Sequence, residues 1–98
     1  MVMLQGSVAE RALGYQQLLA GEVDVGTGLV IPDGTATVIV VVEGQSVRWR
    51  DDGIAPTATI GMPATAGTTL RFDSQALKAL RFISQTAGAI LNVSYYGP

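Results

Sequence analysis

The chain contains no cysteine and no histidine, and charged residues make up only 14% of its 98 positions. Without cysteine it has no disulfide and no thiolate ligand. Without histidine it lacks the commonest general base and the commonest metal ligand. Average soluble domains carry roughly 25% charged residues. Because valine, alanine and threonine replace the missing charge, we expect part of the surface to be covered by partner proteins.

The net charge of the chain is weakly negative, with a formal value of −2. A nucleic-acid surface would need a basic patch. No apolar run approaches the roughly 18 residues that a membrane span needs. The start, MVMLQGSVAERAL, lacks the basic region and apolar core of a secretory signal. We therefore expect a protein made in the cytosol that binds neither nucleic acid nor membrane.

Short segments with strand character follow one another along the chain, separated by Gly, Pro and Asp turns. The strongest lies at 35–42, where the run VIVVV disfavours a helix. Its apolar side chains on both faces predict a central strand that is covered on both sides. Further short strands are predicted at 29–30, 69–72, 79–84 and 89–96. We predict one all-β domain, a small antiparallel, jelly-roll-like β-sandwich of seven to eight short strands.

The beginning of the chain is predicted separately from this domain. Residues 1–13 are expected to form an N-terminal arm, and residues 14–98 the single β-sandwich. Residues 8–19 also fit a short amphipathic helix, with Ser7 as N-cap and Glu10 completing a capping box. The alternation of apolar and polar side chains that follows favours a strand from about residue 14.

The segment 47–63, VRWRDDGIAPTATIGMP, contains the only tryptophan and an adjacent pair of aspartates. Alternation of Val47 and Trp49 with two arginines predicts a strand with one apolar and one basic face. Asp51-Asp52-Gly53 has the residues of a tight turn. A metal site at the aspartate pair stays open, but we predict none, because calcium sites need more oxygens from an ordered loop.

A protein-binding face is predicted from the pairing of two neighbouring segments. If residues 43–46 form a hairpin loop that pairs Val42 with Val47, then Ile39 and Val41 lie beside two arginines. An apolar patch rimmed by arginine resembles a protein interface. The arginines are also expected to form ion pairs with Asp51, Asp52 or Glu43. The predicted partner-binding residues are Ile39, Val41, Arg48, Arg50, Asp51 and Asp52.

Four sequence blocks resemble a group of small structural proteins of tailed bacteriophages. They are GYQQL, IPDGTATVIVVVEGQSVRWRDDGIAPTATIGMP, LKALRFI and LNVSYY, and they span residues 14–96. The resemblance implies a virion component, assembled in the host cytoplasm, with no enzymatic activity and no cofactor. It implies a head decoration or cement protein, or a small subunit at the head–tail or tail surface. Of these we expect a capsid decoration or cement subunit that self-associates and stabilises the head through contacts with neighbouring subunits. Its expected partners are the major capsid protein or other virion subunits.

A function of another class is a carbohydrate- or receptor-binding module in a tail, a fibre or the head–tail surface. Such a module needs an exposed aromatic platform, for which Trp49, Tyr95 and Tyr96 are the candidates. Because Trp49 alternates with polar residues beside a valine-rich strand, we expect it in the core instead. No pattern of nucleophile and base points to catalysis, so we predict that the chain is not an enzyme.

Overall fold

The computed structural model describes residues 10–20, 29, 31–73 and 75–98 of the chain. The strands are, in chain order, β1 (Arg11–Ala20), β2 (Thr37–Glu43), β3 (Val47–Arg50), β4 (Met62–Ala64), β5 (Thr69–Phe72), β6 (Arg81–Ser84) and β7 (Ala89–Gly97). A 3₁₀ helix at Gln75–Ala79 precedes β6. The predicted all-β class is therefore confirmed. In the part of the chain that the structure describes, no helix is long and apolar enough to cross a membrane.

The strands form two antiparallel sheets that pack face to face as a sandwich. The four-stranded sheet has the order β1-β7-β2-β5, and the three-stranded sheet has the order β4-β3-β6. Every second side chain of β2 and β7 points into the space between the sheets, as the period of a strand requires. The inward apolar residues of these two strands, all buried, are Val38, Val40, Val42, Ala89, Leu91, Val93 and Tyr95.

The strand order of the four-stranded sheet is like that of a jelly roll. The last described strand, β7, lies between β1 and β2, and β5 lies beyond β2. Strands that are distant along the chain are therefore neighbours, as in the Greek keys of jelly-roll sandwiches. The chain between β1 and β2 contains the strand predicted at 29–30. Leu29 lies outside any strand, and Val30 and residues 21–28 are outside the described residues.

β1 begins earlier than predicted and replaces the helix that residues 8–19 also fitted. It starts at Arg11, so residues 11–13 of the expected arm belong to a strand. Because β1 pairs with β7 along its length, the helical interpretation is wrong from Arg11 onward. Residues 1–9, including the proposed cap at Ser7, lie outside the described residues.

The predicted hairpin between β2 and β3 is wrong. β2 pairs with β5 and β7, whereas β3 pairs with β4 and β6. Residues 43–46 instead carry the chain from one sheet to the other. Gly44 makes this connection possible, because it has φ of +86° and a Cβ there would lie 2.9 Å from the Gly88 carbonyl oxygen. The turn at 85–88, predicted as a hairpin, likewise joins the two sheets.

The outer face of β2 is less covered than its apolar sequence predicted. Val41 is 37% exposed, and Ile39 is half-buried. Among the described residues, no second layer lies over this face of the four-stranded sheet. β2 is therefore fully buried on its inner face and only partly covered on its outer face.

Candidate protein-binding surface

A depression rimmed by charge lies where β3 ends and β4 begins. It has a volume of about 250 Å³, and its lining includes Arg50, Asp51, Asp52, Ile60 and Met62. We call these five residues the rimmed patch. The side chains of Ile60 and Met62 are 58% and 56% exposed. Large exposed apolar side chains beside an arginine have the composition of a protein interface, and the two carboxylates suit its polar rim.

A sharp turn after β3 places the acidic part of the rimmed patch. Gly53 adopts φ of +80°, a conformation that glycine reaches without steric cost. The Asp52 side chain accepts a hydrogen bond from the Ile54 amide at 3.2 Å, which is the local bonding expected of aspartate in a turn. The turn predicted at Asp51-Asp52-Gly53 is thus confirmed.

A second turn, at residues 57–60, carries Ile60 of the rimmed patch. The Thr57 amide donates to the Ile60 carbonyl oxygen at 2.9 Å, and the Ile60 amide donates to the Thr57 hydroxyl, also at 2.9 Å. The chain closes on itself over four residues, while Pro56 is buried beneath it. These local bonds hold the loop in one conformation, in which the Ile60 side chain is exposed.

Arg48 fixes this turn to the body of the sandwich. Its guanidinium donates to the carbonyl oxygens of Gly61 at 2.7 Å and Ala58 at 3.2 Å. Gly61 has φ of +137°, and a Cβ there would lie 3.0 Å from Pro56 Cβ and 3.1 Å from Arg48 Cβ. Arg48 therefore bonds backbone carbonyls rather than a carboxylate, and it supports the rimmed patch from below.

Arg50 and Asp52 form the ion pair that the sequence predicted. Arg50 Nε donates to Asp52 Oδ1 at 3.0 Å, and Arg50 Nη2 donates to Asp52 Oδ2. The hydrogen bond from Arg50 holds the pKa of the Asp52 carboxyl below its ordinary value. The hydrogen bond with Asp52 likewise raises the pKa of the Arg50 guanidinium. Two parallel bonds give the pair a defined geometry.

Ile39 and Val41 lie on the other side of the molecule. They belong to the outer face of the four-stranded sheet, where Val41 pairs with Asn92 and Ile39 pairs with Ser94. The predicted face made of Ile39, Val41, Arg48 and Arg50 is therefore not formed, because β2 and β3 belong to different sheets. Of the six predicted partner-binding residues, the structure brings together Arg50, Asp51 and Asp52.

Asn92 joins three strands at the centre of that outer face. Its Oδ1 accepts from the Tyr15 hydroxyl at 2.7 Å and from Gln17 Nε2 at 2.9 Å. Its Nδ2 donates to Glu43 Oε1 at 3.0 Å. These bonds cross the sheet from β1 through β7 to β2. They fix the orientation of side chains on a face that carries little charge.

The three aromatic candidates for a glycan platform point in different directions. Trp49 packs against the core, as predicted, with its ring in contact with Phe72. Tyr95 is buried and donates from its hydroxyl to Gln16 Oε1 at 2.8 Å. Tyr96 is half-buried on the opposite face of β7. A carbohydrate-binding role stays a prediction, and Trp49 and Tyr95 do not contribute an exposed ring to it.

Ile60 and Met62 are not among the partner-binding residues predicted from the sequence. A signal was present, because both large apolar residues stand in a stretch interrupted by Pro56, Gly61 and Pro63, where a long buried strand is not expected.

Within the described residues, no three carboxylates gather in a way that could hold a metal ion. Comparison with protein-family models, with curated proteins and with solved structures finds no match to this chain.

Proposed function

We propose that this chain is a structural subunit of a tailed-bacteriophage virion. It acts as a capsid decoration or cement protein that docks through the rimmed patch onto the major capsid protein or another virion subunit. The observation that carries the proposal is the exposure of Ile60 and Met62 beside the paired Arg50 and Asp52. The sequence blocks that resemble phage structural proteins supply the class of partner.

The apolar centre of the rimmed patch supplies the affinity. Complete burial of a side chain the size of isoleucine or methionine is worth about 1.5–3 kcal/mol. Ile60 and Met62 have more than half of their surface left to bury. Hot spots of this kind lie at the centre of an interface, where surrounding contacts exclude water.

The charged edge of the rimmed patch supplies orientation. The Arg50–Asp52 pair is already formed in the free subunit, so docking does not have to order these side chains. Asp51 is exposed beside them. Charges at the rim of an interface select partners and fix register more than they add affinity. A partner with a basic group opposite Asp51 fits this arrangement.

The loop that carries Ile60 is fixed before any partner binds. Arg48 bonds it at Ala58 and Gly61, and Thr57 closes it on itself. A surface that is already ordered loses less conformational entropy on association. Arg48 therefore contributes to docking by positioning the loop, while Arg50 and Asp51 contact the partner.

Two broader features support a particle subunit. The charged fraction is low for a soluble domain, as expected when much of the surface is shared with neighbours. Jelly-roll sandwiches also build many viral capsid and lectin domains. This second point is an analogy at the level of fold, and a fold alone does not assign a function.

The test is incorporation into purified phage particles. Ile60→Lys and Met62→Lys place a charge at the apolar centre, and Ala87→Lys adds the same charge at an exposed turn elsewhere. We expect the wild-type chain and Ala87→Lys to be present in particles at equal copy number, with both patch variants reduced at least tenfold. Equal incorporation of all four chains, or absence of the wild-type chain from particles, would overturn the proposal.

A further inference from the structure

The edge of the four-stranded sheet at β1 differs from the other sheet edges of the described fold. The strands at the edges are β1, β5, β4 and β6. β5 and β6 have four residues each and contain an arginine, and β4 has three residues and contains Pro63. Short edge strands, charged side chains and proline are devices by which proteins prevent edge-to-edge pairing.

β1 has such features only at its N-terminal end. It has ten residues, and among the described strands it pairs with β7 alone. Its one charged residue, Arg11, precedes an irregularity in register between Ala12 and Gly14. From residue 14 to residue 20 the strand contains no charge and no proline. Among the described residues, this seven-residue edge lacks the charge, the proline and the short length that block strand addition.

We propose that β1 pairs antiparallel with β1 of a second copy of this chain, about a two-fold axis. The partner is a second copy because the segment 14–20 is uncharged, so two identical edges meet without like-charge repulsion. A two-fold contact needs a surface that is complementary to itself, and an antiparallel edge strand meets that need. The pairing uses a surface other than the rimmed patch and does not depend on the virion function proposed above.

The two-fold axis fixes the register of the pairing. Residues directly opposite one another lie on the same face of a sheet, so the central residue of a symmetric pair meets its own copy. The centre of the segment 14–20 is Gln17. Tyr15 then lies opposite the partner's Leu19, and Leu19 lies opposite the partner's Tyr15.

This register covers two exposed side chains. Tyr15 and Leu19 are 64% and 72% exposed in the single chain, more than the other exposed large apolar residues of the described fold. Both point to the outer face of the sheet, where Tyr15 is held by its bond to Asn92. Aromatic and aliphatic side chains that face each other across strands stabilise a sheet. Each dimer contains this pair twice.

A single introduced cysteine tests the register, because the chain has no cysteine of its own. Directly opposed residues have Cα atoms about 4.5–5.5 Å apart, a separation that a disulfide can bridge. We expect Gln17→Cys to form a covalent dimer on mild oxidation. Leu19→Cys is the matched control, since its copy lies about 13 Å away along the strands. Equal cross-linking of the two variants, or none from Gln17→Cys, overturns the pairing.

A charge exchange tests the association itself. We expect Gln17→Lys and Gln17→Glu each to weaken the dimer about fivefold or more, because like charges meet at the axis. In an equimolar mixture of the two variants, lysine meets glutamate at the axis, so a mixed dimer should form. Sedimentation velocity measures this association. Because Gln17 is exposed, we expect both variants to stay folded. Their tryptophan emission, compared with that of the wild-type chain, checks this. A monomeric wild-type chain at high concentration, or a mixture as weak as its components, contradicts the proposal.

The two proposals fail separately. Ile60→Lys should lose particle incorporation and keep the dimer, whereas Gln17→Lys should weaken the dimer. If Ile60→Lys abolishes the dimer, the self-association surface is the rimmed patch and the β1 pairing is wrong. If the dimer forms as described and particles lack the chain, the virion function is wrong and the β1 pairing stands.

Discussion

The indole ring of Trp49 packs edge-on against the ring of Phe72, with centroids 4.9 Å apart and planes at 80°. Trp49 lies on β3 and Phe72 on β5, so the contact joins the two sheets. Phe82 on β6 continues the series, with its centroid 6.2 Å from that of Phe72. Edge-to-face pairs add stability beyond the area that they bury. They hold β3, which leads into the rimmed patch, against the four-stranded sheet.

The aromatic series predicts a graded loss of stability. Phe82 is fully buried, so Phe82→Ala should lower the free energy of unfolding by about 3–5 kcal/mol. Phe72 is half-buried, so Phe72→Ala should cost less, and Phe72→Leu less again. Urea denaturation followed by Trp49 fluorescence measures all three. A smaller cost for Phe82→Ala than for Phe72→Ala would show that the core is arranged differently.

The loop of the rimmed patch depends on two residues beneath it. Gly61→Ala should destabilise the chain, because alanine is strained at φ of +137° and its Cβ would lie only 3.0 Å from Pro56 Cβ. Arg48→Ala should speed amide hydrogen exchange at Thr57 and Ile60, since the loop loses two hydrogen bonds. Arg48→Lys should restore little, because lysine lacks the forked donors. Unchanged exchange in Arg48→Ala would mean that the loop is held by other contacts.

The Arg50–Asp52 pair predicts a titration that carbon NMR can follow. The folded pKa of Asp52 lies below its ordinary value of 3.8. A depressed carboxyl pKa stabilises the fold above the unfolded pKa, and this contribution is lost as pH falls through the folded pKa. Arg50→Gln should raise the Asp52 pKa toward 3.8, and added salt should act in the same direction. An Asp52 pKa that is unchanged in Arg50→Gln would contradict the pairing.

Tyr95 predicts a loss of stability at alkaline pH. Burial raises the pKa of its hydroxyl above the ordinary value of 10.0. The contribution is therefore present below pH 10 and is lost as pH rises through the folded pKa. Tyr95→Phe should remove this alkaline slope. At neutral pH it should cost about 1 kcal/mol, because the bond to Gln16 is lost. Thermal unfolding of both proteins between pH 7 and pH 11 provides the measurement.

Side-chain alternation predicted which residues of β3 face the core. Val47 is buried and Trp49 packs against the core, as expected from a period of two. This information is local, because it requires only the residue types within one strand.

Strand pairing could not be predicted in the same way. Residues 43–46 have a length that suits a hairpin and equally suits a crossing between sheets. The choice depends on β5 and β7, which pair with β2 from far along the chain. The same distinction holds for the site. The Arg50–Asp52 pair spans two residues and was predicted, whereas the contacts of Arg48 with the loop at 58–61 were not.

Photo-cross-linking inside assembled particles tests the central claim most directly. A benzophenone amino acid replaces Met62 in one variant and Ala87 in a control, and cross-linked partners are identified by mass spectrometry. The account predicts a cross-link from position 62 to the major capsid protein or another virion subunit, and none from position 87. Particles that contain the chain but give no cross-link from position 62 would contradict docking through the rimmed patch.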